Sequence, residues 1–365
     1  MKAKLLQAAA PLGALLFALL AGAAFIAAIG YNPLLVYGTF FSFSLGRSDS
    51  LGAILFYATP LIFAGLSVAV GFKAGLFNIG VEGQYLFGAF CAAWVGFSLH
   101  GLPPWMHLPL AVLAAMGGAM LWILLPACLR VYRGVHEVFG TIMLNYVAFS
   151  LLHYLVADVY MDRNQNIPAG LGSPIIRTPL FESSVMAPKM HGFFHVFGID
   201  IPEYISVNWF FVLGLLMAAG CYYLFWHTPL GFEIRATGLG IDAVHAAGIN
   251  VHHVRMKSFL ISGALAGLVG LSYLFGYYDS LDLDFPRNFG FTGIAVALMS
   301  NNNPLGVIPA ALLFGLLNRG AEGVQTFLSI PMELVVIFQG IIIVSVAVTM
   351  QYVDRLLQKR ERRSG

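Results

Sequence analysis

The sequence predicts an all-α, polytopic integral membrane protein with about ten transmembrane helices. Of its 365 residues, 59% are hydrophobic and 10% are charged, whereas a soluble domain carries roughly 25% charged residues. Long stretches such as 108–125 and 335–349 also lack the polar face that a soluble helix turns to water. These observations exclude a soluble protein, and we expect residues 1–365 to form a single transmembrane domain.

Hydropathy places the spans in chain order, each near the ~20 residues that cross a bilayer. The first follows a basic start, and its apolar run to residue 29 is long for a signal peptide. We therefore expect an uncleaved helix there, with a cleaved signal peptide as the alternative. The predicted spans are 8–29, 51–72, 77–99, 108–129, 138–157, 207–226, 258–278, 289–301, 304–318 and 332–351.

The basic residues predict the orientation of these spans. An even number of crossings puts both termini on one side, and most Lys and Arg residues, including Lys73, Arg235 and Lys257, fall on that side. Because basic loops stay in the cytoplasm, both termini are expected to be cytoplasmic. Residues 158–206 then form an extracytoplasmic loop, and residues 227–257 form the largest cytoplasmic loop.

Two segments interrupt the apolar pattern with Gly, Asn and Pro, and one lies in each half of the chain. They are AGLFNIGVEGQ at 74–84 and FGFTGIAVALMSNNNPLG at 289–306. Membrane backbone leaves helical geometry only where it is buried in protein or lines a wet cavity. Paired interruptions of this kind indicate a substrate path near the middle of the membrane.

Polar side chains within these interruptions are the candidate site residues. A carboxylate such as Glu82 at the centre of a membrane helix costs roughly 2.5–3.5 kcal/mol, so a partner must offset that cost. If a helix runs from 78 to 88, Asn78 and Glu82 share one face. We expect a role in lining the path or stabilising a gate, with a plain cytoplasmic loop as the alternative. The candidate path residues are Phe77, Asn78, Glu82, Gln84, Phe291, Asn301, Asn302 and Asn303.

Motifs for covalent chemistry are weak. His136 and Glu137 lack the second His of a zinc-protease helix, so a structural role at the membrane surface is favoured. The three cysteines lie in apolar segments and match no disulfide or metal pattern. No GK[ST] element occurs, and we predict no ATPase site, metal or cofactor in this chain.

The segment GLFNIGVEGQ at 75–84 resembles the FNIGxEGQ signature of permease subunits of bacterial ABC importers, in the branched-chain amino acid and simple sugar permease superfamily. Segments 133–146 and 290–306 resemble its nucleoside-type branch. The resemblance implies a permease in the bacterial plasma (inner) membrane that imports nucleosides by alternating access. It also implies a second permease subunit, two ATPase subunits that use ATP in the cytoplasm, and a binding protein or lipoprotein outside.

The segment at 238–267 is similar to the family's cytoplasmic coupling segment, in which a helix of small residues followed by Gly docks into the ATPase. The matching residues are Asp242, Ala243, Ala246, Ala247 and Gly248. Three alternatives remain open. The protein could be a sugar permease of the same superfamily, a secondary transporter that uses Glu82 as an ion site, or an intramembrane enzyme that uses His136, Glu137 or the pair His252 and His253.

Overall fold

The structure is a computed structural model that describes residues 16–17, 19–163, 165, 174–331, 334, 336–337, 340–341 and 344. Within these residues the chain is helical, with two isolated β-bridges and no longer strand. The predicted all-α class is confirmed. The helices are α1 Leu19–Ala28, α2 Pro33–Leu45, α3 Ser50–Lys73, α4 Val81–Ser98, α5 Pro104–Arg133, α6 Glu137–Tyr154, α7 His191–Val196, α8 Phe210–His227, α9 Pro229–Leu239, α10 Ile241–Ala246, α11 Val251–Gly267, α12 Leu271–Gly276, α13 Phe289–Met299 and α14 Pro304–Leu328.

Six segments of the described chain are long and apolar enough to cross a membrane. They are α3, α5, α6 with the π-helical turn Leu155–Val159, α8, the α11–α12 pair and α14. Together with α4 and the shorter apolar helices α1, α2 and α13, they agree with the predicted fold of about ten helices. The predicted span 332–351 and the start of 8–29 lie largely outside the described residues.

Three boundaries differ from the sequence prediction. Helix α2 was not predicted, and a break at 268–270 separates α11 from α12 within one predicted span. Helix α14 continues to Leu328 rather than ending at residue 318. Arg319 lies in this additional part of α14, where it is buried and its Nη2 lies 2.7 Å from Asp49 Oδ2. A helix can continue past a buried charged residue when that residue forms an ion pair, and hydropathy does not detect the partner.

The chain divides into two compact units. The first comprises residues 1–54 and 316–365, and its described core contains Ile26, Phe40, Leu317 and Val324. The second comprises residues 55–315 and holds both interrupted segments.

Helix α4 lies at the centre of the second unit. It contacts α5, α6 and α11, and most of its residues are buried, including Tyr85 and Leu86. Glycines allow these close contacts, because a methyl group at Gly88 would lie 2.8 Å from the Ala115 carbonyl oxygen. Glu82 and Gln84 of α4 are buried and have no access to lipid, so their partners must be protein groups.

The described part of the 158–206 loop is ordered and includes α7. Backbone hydrogen bonds join it to α12 and to the segment after α12, for example from Ala187 N–H to the Phe275 carbonyl and from Phe181 N–H to the Asp279 carbonyl, both 2.8 Å. These bonds satisfy backbone groups that an unpaired loop would leave exposed. The side of the membrane on which this loop lies stays a prediction.

Candidate functional site

The first interruption is a non-helical connection between α3 and α4. Helix α3 ends at Lys73, Gly75 adopts φ +70°, and α4 begins at Val81. Glycine adopts this positive φ at little energetic cost, whereas other residues would be strained. The chain reverses here, and residues 76–80 run beside the helix ends. The predicted helix from 78 was therefore wrong at its start, and Asn78 lies before α4 rather than on the same helical face as Glu82.

The Glu82 carboxylate joins the beginnings of two helices. Its Oε1 accepts hydrogen bonds from Asn288 N–H at 2.6 Å and from Tyr85 OH at 3.0 Å, and its Oε2 accepts one from Gly290 N–H at 2.8 Å. Glu82 lies in the first turn of α4, and Asn288 is the N-cap of α13. Unpaired N–H groups and the helix dipole both favour an anion at a helix N-terminus. We call Glu82, Tyr85, Asn288 and Gly290 the Glu82 staple.

Close approach is essential to this staple. A methyl group at Gly290 would lie 2.5 Å from Glu82 N and 2.9 Å from its Cα, so only glycine fits there. Asn288 adopts φ +72°, a left-handed conformation that Asn tolerates better than most residues. The cost of placing Glu82 between apolar segments is thus offset by donors from α13, which lie far away in sequence.

Asn78 and Gln84 form a second buried network. Gln84 Nε2 donates to Asn78 Oδ1 at 2.9 Å, and Asn78 Nδ2 donates to Ser262 Oγ at 2.9 Å. Ser262 and Ser67 exchange hydroxyl-to-carbonyl hydrogen bonds of 2.7 Å in both directions. Asn78 Oδ1 also accepts from Gly80 N–H at 3.1 Å. These bonds tie the break to α3 and α11 and leave little hydrogen-bonding capacity for a solute.

Helix α6 holds the same break from another direction. Asn145 Oδ1 accepts from Gly83 N–H at 2.8 Å, and Glu137 Oε1 accepts from Phe77 N–H at 3.1 Å. Glu137 is buried, and its Oε2 lies 2.9 Å from Arg130 Nε, an ion pair that is not aligned as a hydrogen bond. This contact agrees with the structural role predicted for Glu137. Sequence reasoning did not assign Asn145, although its place in the 133–146 motif was a signal.

Aromatic side chains line up beside the staple. The ring centroids of Phe56 and Tyr273 are 4.4 Å apart, those of Tyr273 and Phe289 are 5.3 Å apart, and those of Phe56 and Tyr277 are 6.2 Å apart. Phe56 is buried, whereas Tyr277 is 60% exposed. We call these four residues the aromatic wall. Sequence reasoning missed them, because aromatic residues are common in apolar segments, although the run SYLFGYY at 272–278 was a visible signal.

The other candidate path residues do not take part in the hydrogen bonds of the staple. Phe291 is 43% exposed on α13. At the far end of α13, residues 300–303 form a turn that we call the asparagine turn, in which Asn301 and Asn302 adopt φ +52° and +55°. Asn303 Oδ1 accepts from Leu305 N–H at 3.1 Å and so caps the start of α14. Phe77 is half-buried and stacks on Phe72, with 5.1 Å between the two ring centroids.

Four of the five predicted coupling residues are exposed. Asp242, Ala246 and Ala247 are exposed on or just after α10, and Gly248 follows at φ +77°. The position of Ala243 lies within α10. The preceding helix α9 ends against the first interruption, since a methyl group at Gly238 would collide with the Lys73 carbonyl oxygen. A displacement of α9 would therefore reach the chain reversal at Gly75 directly.

Comparisons with known proteins place this geometry in context. A family model described as branched-chain amino acid transport system / permease component matches residues 50–347. The guanosine ABC transporter permease protein NupP of Bacillus subtilis is 34% identical over 97% of this chain and 97% of its own length. The nucleoside ABC transporter permease protein NupB of Lactococcus lactis is 34% identical over 93% and 90%. The glucose ABC transporter permease protein TsgB13 of Haloferax volcanii is 32% identical over 91% and 85%.

Proposed function

This chain belongs to the family of branched-chain amino acid transport system permease components, and we propose that it forms the translocation path of an ATP-driven importer for nucleosides. The observation that carries the substrate class is the similarity, over nearly the whole chain, to permeases named for guanosine and for nucleosides. The import direction follows from the FNIGVEGQ resemblance at 77–84.

The aromatic wall supplies the physical reason for this substrate. A nucleoside presents a flat base that stacks on aromatic rings and polar edges that need a few hydrogen-bond partners. Tyr273 and Phe289 lie 5.3 Å apart within the wall, and Tyr277 extends it to an exposed position. The phenol groups of Tyr273 and Tyr277 add donors and acceptors beside these rings. We assign solute contact to this wall and to Phe291.

Asn78, Glu82 and Gln84 act on the path by positioning it. All three are buried with protein partners, so their contribution is to fix where α4 and α13 begin. Alternating access then requires α4 and α13 to move. The exposed α10, with Asp242, Ala243, Ala246, Ala247 and Gly248, is the proposed docking element for the ATPase, and the contact of α9 with residues 73–75 carries its movement inward.

In the proposed complex, each permease subunit consists of one membrane domain, residues 1–365 in this chain. Two permease subunits, two cytoplasmic ATPase subunits and an external binding protein or lipoprotein assemble in a bacterial plasma membrane. Both termini and residues 227–257 face the cytoplasm, and residues 158–206 face the binding protein. The positive-inside bias of the basic residues supports this orientation.

Two other functions can be weighed against the geometry. The relative named for glucose favours a sugar permease as the second candidate. In an ion-coupled carrier Glu82 would exchange a proton or an ion with solution, whereas its carboxylate is buried and already accepts hydrogen bonds from two backbone N–H groups. The exposed pair His252 and His253 has no third ligand nearby in the described chain, so no observation favours an enzyme.

Uptake measurements test the substrate class. Cells that lack the gene, complemented with the intact protein, should take up labelled guanosine at low concentration, and excess unlabelled nucleoside should compete while glucose should not. Tyr273→Ala should reduce uptake at least about tenfold through loss of stacking, and Tyr273→Phe should retain most of it. Tyr154→Ala, at a 55% exposed position of α6, is the matched control and should have no effect.

Competition by glucose with no competition by nucleosides would assign the protein to the sugar branch. Unchanged guanosine uptake in Tyr273→Ala, with normal protein levels, would remove the aromatic wall from the path but leave the substrate class intact.

A further inference from the structure

A polar pocket lies at one end of α3 and α8, away from the aromatic wall. It has a volume of about 380 Å³ and is formed by α3, α8, α9 and the asparagine turn. The residues that give it chemical character are Lys73, Trp226, Arg235, Asn301 and Asn302. Nothing in the proposed transport path uses Lys73 or Arg235.

Two cations in this pocket face the same ring. Lys73 Nζ lies 5.9 Å and Arg235 Cζ lies 5.6 Å from the centroid of Trp226. Within the described chain neither cation has a carboxylate within ion-pair distance. Like charges that share a partly buried site repel each other, so an anion between them would be stabilised.

Unused hydrogen-bonding groups point to the same conclusion. Arg235 Nε and Asn302 Oδ1 are buried atoms without a hydrogen-bond partner among the described residues. A buried donor or acceptor without a partner is costly, and a ligand that pairs with it gains that energy. A ligand with both an anionic oxygen and a hydroxyl group would satisfy Arg235 and Asn302 together.

The position of the pocket indicates the source of the anion. Helices α3 and α8 are candidate membrane spans that end at Lys73 and His227. Trp226 and the exposed Tyr223 near the end of α8 resemble the aromatic belt at a membrane surface. Leu216 is 60% exposed further along α8, which provides an apolar surface for an acyl chain. Lipid phosphates lie next to the ends of membrane spans, where basic pockets bind anionic headgroups.

We propose that this pocket binds the phosphate of an anionic phospholipid whose headgroup carries hydroxyl groups, as in phosphatidylglycerol. The Arg235 guanidinium and Lys73 ammonium bind the phosphate oxygens, and Asn302 Oδ1 accepts a hydrogen bond from a headgroup hydroxyl. A neutral nucleoside would leave the charges of Lys73 and Arg235 uncompensated. Asn301 and Asn302 line the same pocket, so we assign them to the lipid rather than to the solute. The bound lipid braces residues 73–75, where α9 meets the first interruption.

Native mass spectrometry of the full-length chain tests this site. The delipidated protein in detergent is titrated with dioleoyl phosphatidylglycerol, with dioleoyl phosphatidylcholine and with glycerol 3-phosphate. We expect one preferentially retained phosphatidylglycerol, and at least about tenfold weaker binding when both charges are removed in Lys73→Gln/Arg235→Gln. Lys73→Arg/Arg235→Lys should retain binding. Arg133→Gln/Lys257→Gln removes the same charge at exposed positions and should bind like the parent.

Asn302→Asp provides a second variant if the double variant does not fold. It places a carboxylate beside the two cations and should exclude the lipid, while Asp is tolerated in the left-handed conformation. Equal retention of phosphatidylglycerol by the parent and by these variants would overturn the proposal, as would equal retention of phosphatidylcholine by the parent. Saturation by glycerol 3-phosphate with equal affinity would overturn the lipid as the source of the phosphate.

Discussion

The two ends of α13 are built from similar residues and have different surroundings. At its start, Glu82, Tyr85 and Gly290 of the staple are buried, and both oxygens of the Glu82 carboxylate accept hydrogen bonds from backbone N–H groups. At its end, Asn301 and Asn303 are exposed, and Asn302 keeps a carbonyl oxygen without a partner in the described chain. Both ends lie in or next to the second interrupted segment, 289–306.

This difference separates two uses of polarity in a membrane helix. A buried polar group with its partners in place defines geometry, because every alternative arrangement would leave donors unpaired in an apolar medium. A polar group with spare capacity can bind something that is not part of the chain. The staple therefore holds α4 and α13 together, whereas the asparagine turn is open to a ligand.

Removing the staple carboxylate should have the largest effect. Glu82→Leu leaves the buried N–H group of Gly290 without an acceptor, at about 2 kcal/mol, and also removes the acceptor of the partly buried Asn288 N–H group. We expect a clear loss of folded protein in detergent and no measurable uptake. Glu203→Leu, at an exposed position, is the matched control and should behave like the parent. Normal assembly with lost uptake would instead place Glu82 on the solute path.

Closing the space at the staple should have the next largest effect. Gly290→Ala brings a methyl group within 2.5 Å of Glu82 N and should destabilise the protein by about 1–3 kcal/mol. A lower melting temperature in detergent would show this. Gly117→Ala has open space around the added methyl and should leave the melting temperature unchanged or slightly higher. Equal effects of the two substitutions would contradict the close contact between α4 and α13.

The asparagine turn should show the smallest effect on stability. Asn302→Ala places a less tolerant residue at φ +55° and should cost about 1 kcal/mol. Asn302→Gly removes the same side-chain amide without that strain and should unfold at the parent's temperature. If Asn302→Gly destabilises the protein as much as Gly290→Ala does, the amide is part of the fold, and the contrast between the two ends of α13 fails.

The sequence was sufficient to predict most of the fold, because hydropathy and span length depend on local composition. It also located both interruptions, since Gly and Asn tolerate the positive φ that Gly75, Asn301 and Asn302 adopt there. It could not predict that Glu82 pairs with Asn288 and Gly290, because the donors are backbone N–H groups distant in sequence. The sequence prediction placed Asn78 on the same helical face as Glu82 because it started the helix at residue 78. The helix starts at Val81, and Asn78 instead bonds to Gln84.

Charges and aromatic rings were the other limits of prediction from sequence. The predicted span ended at residue 318, whereas α14 continues past Arg319, whose partner Asp49 is distant along the chain. The aromatic wall combines Phe56, Tyr273, Tyr277 and Phe289 from three parts of the sequence, and no local pattern distinguishes these rings from other core aromatics.

Hydrogen–deuterium exchange of the purified chain tests the staple most directly. In Glu82→Gln the side chain keeps its shape but presents an amide N–H to one of the two backbone donors. We predict that the amides at 288–290 exchange at least about tenfold faster than in the parent, while those at 301–303 keep their parental rates. Unchanged exchange at 288–290 in a folded Glu82→Gln protein would contradict the claim that Glu82 holds the start of α13.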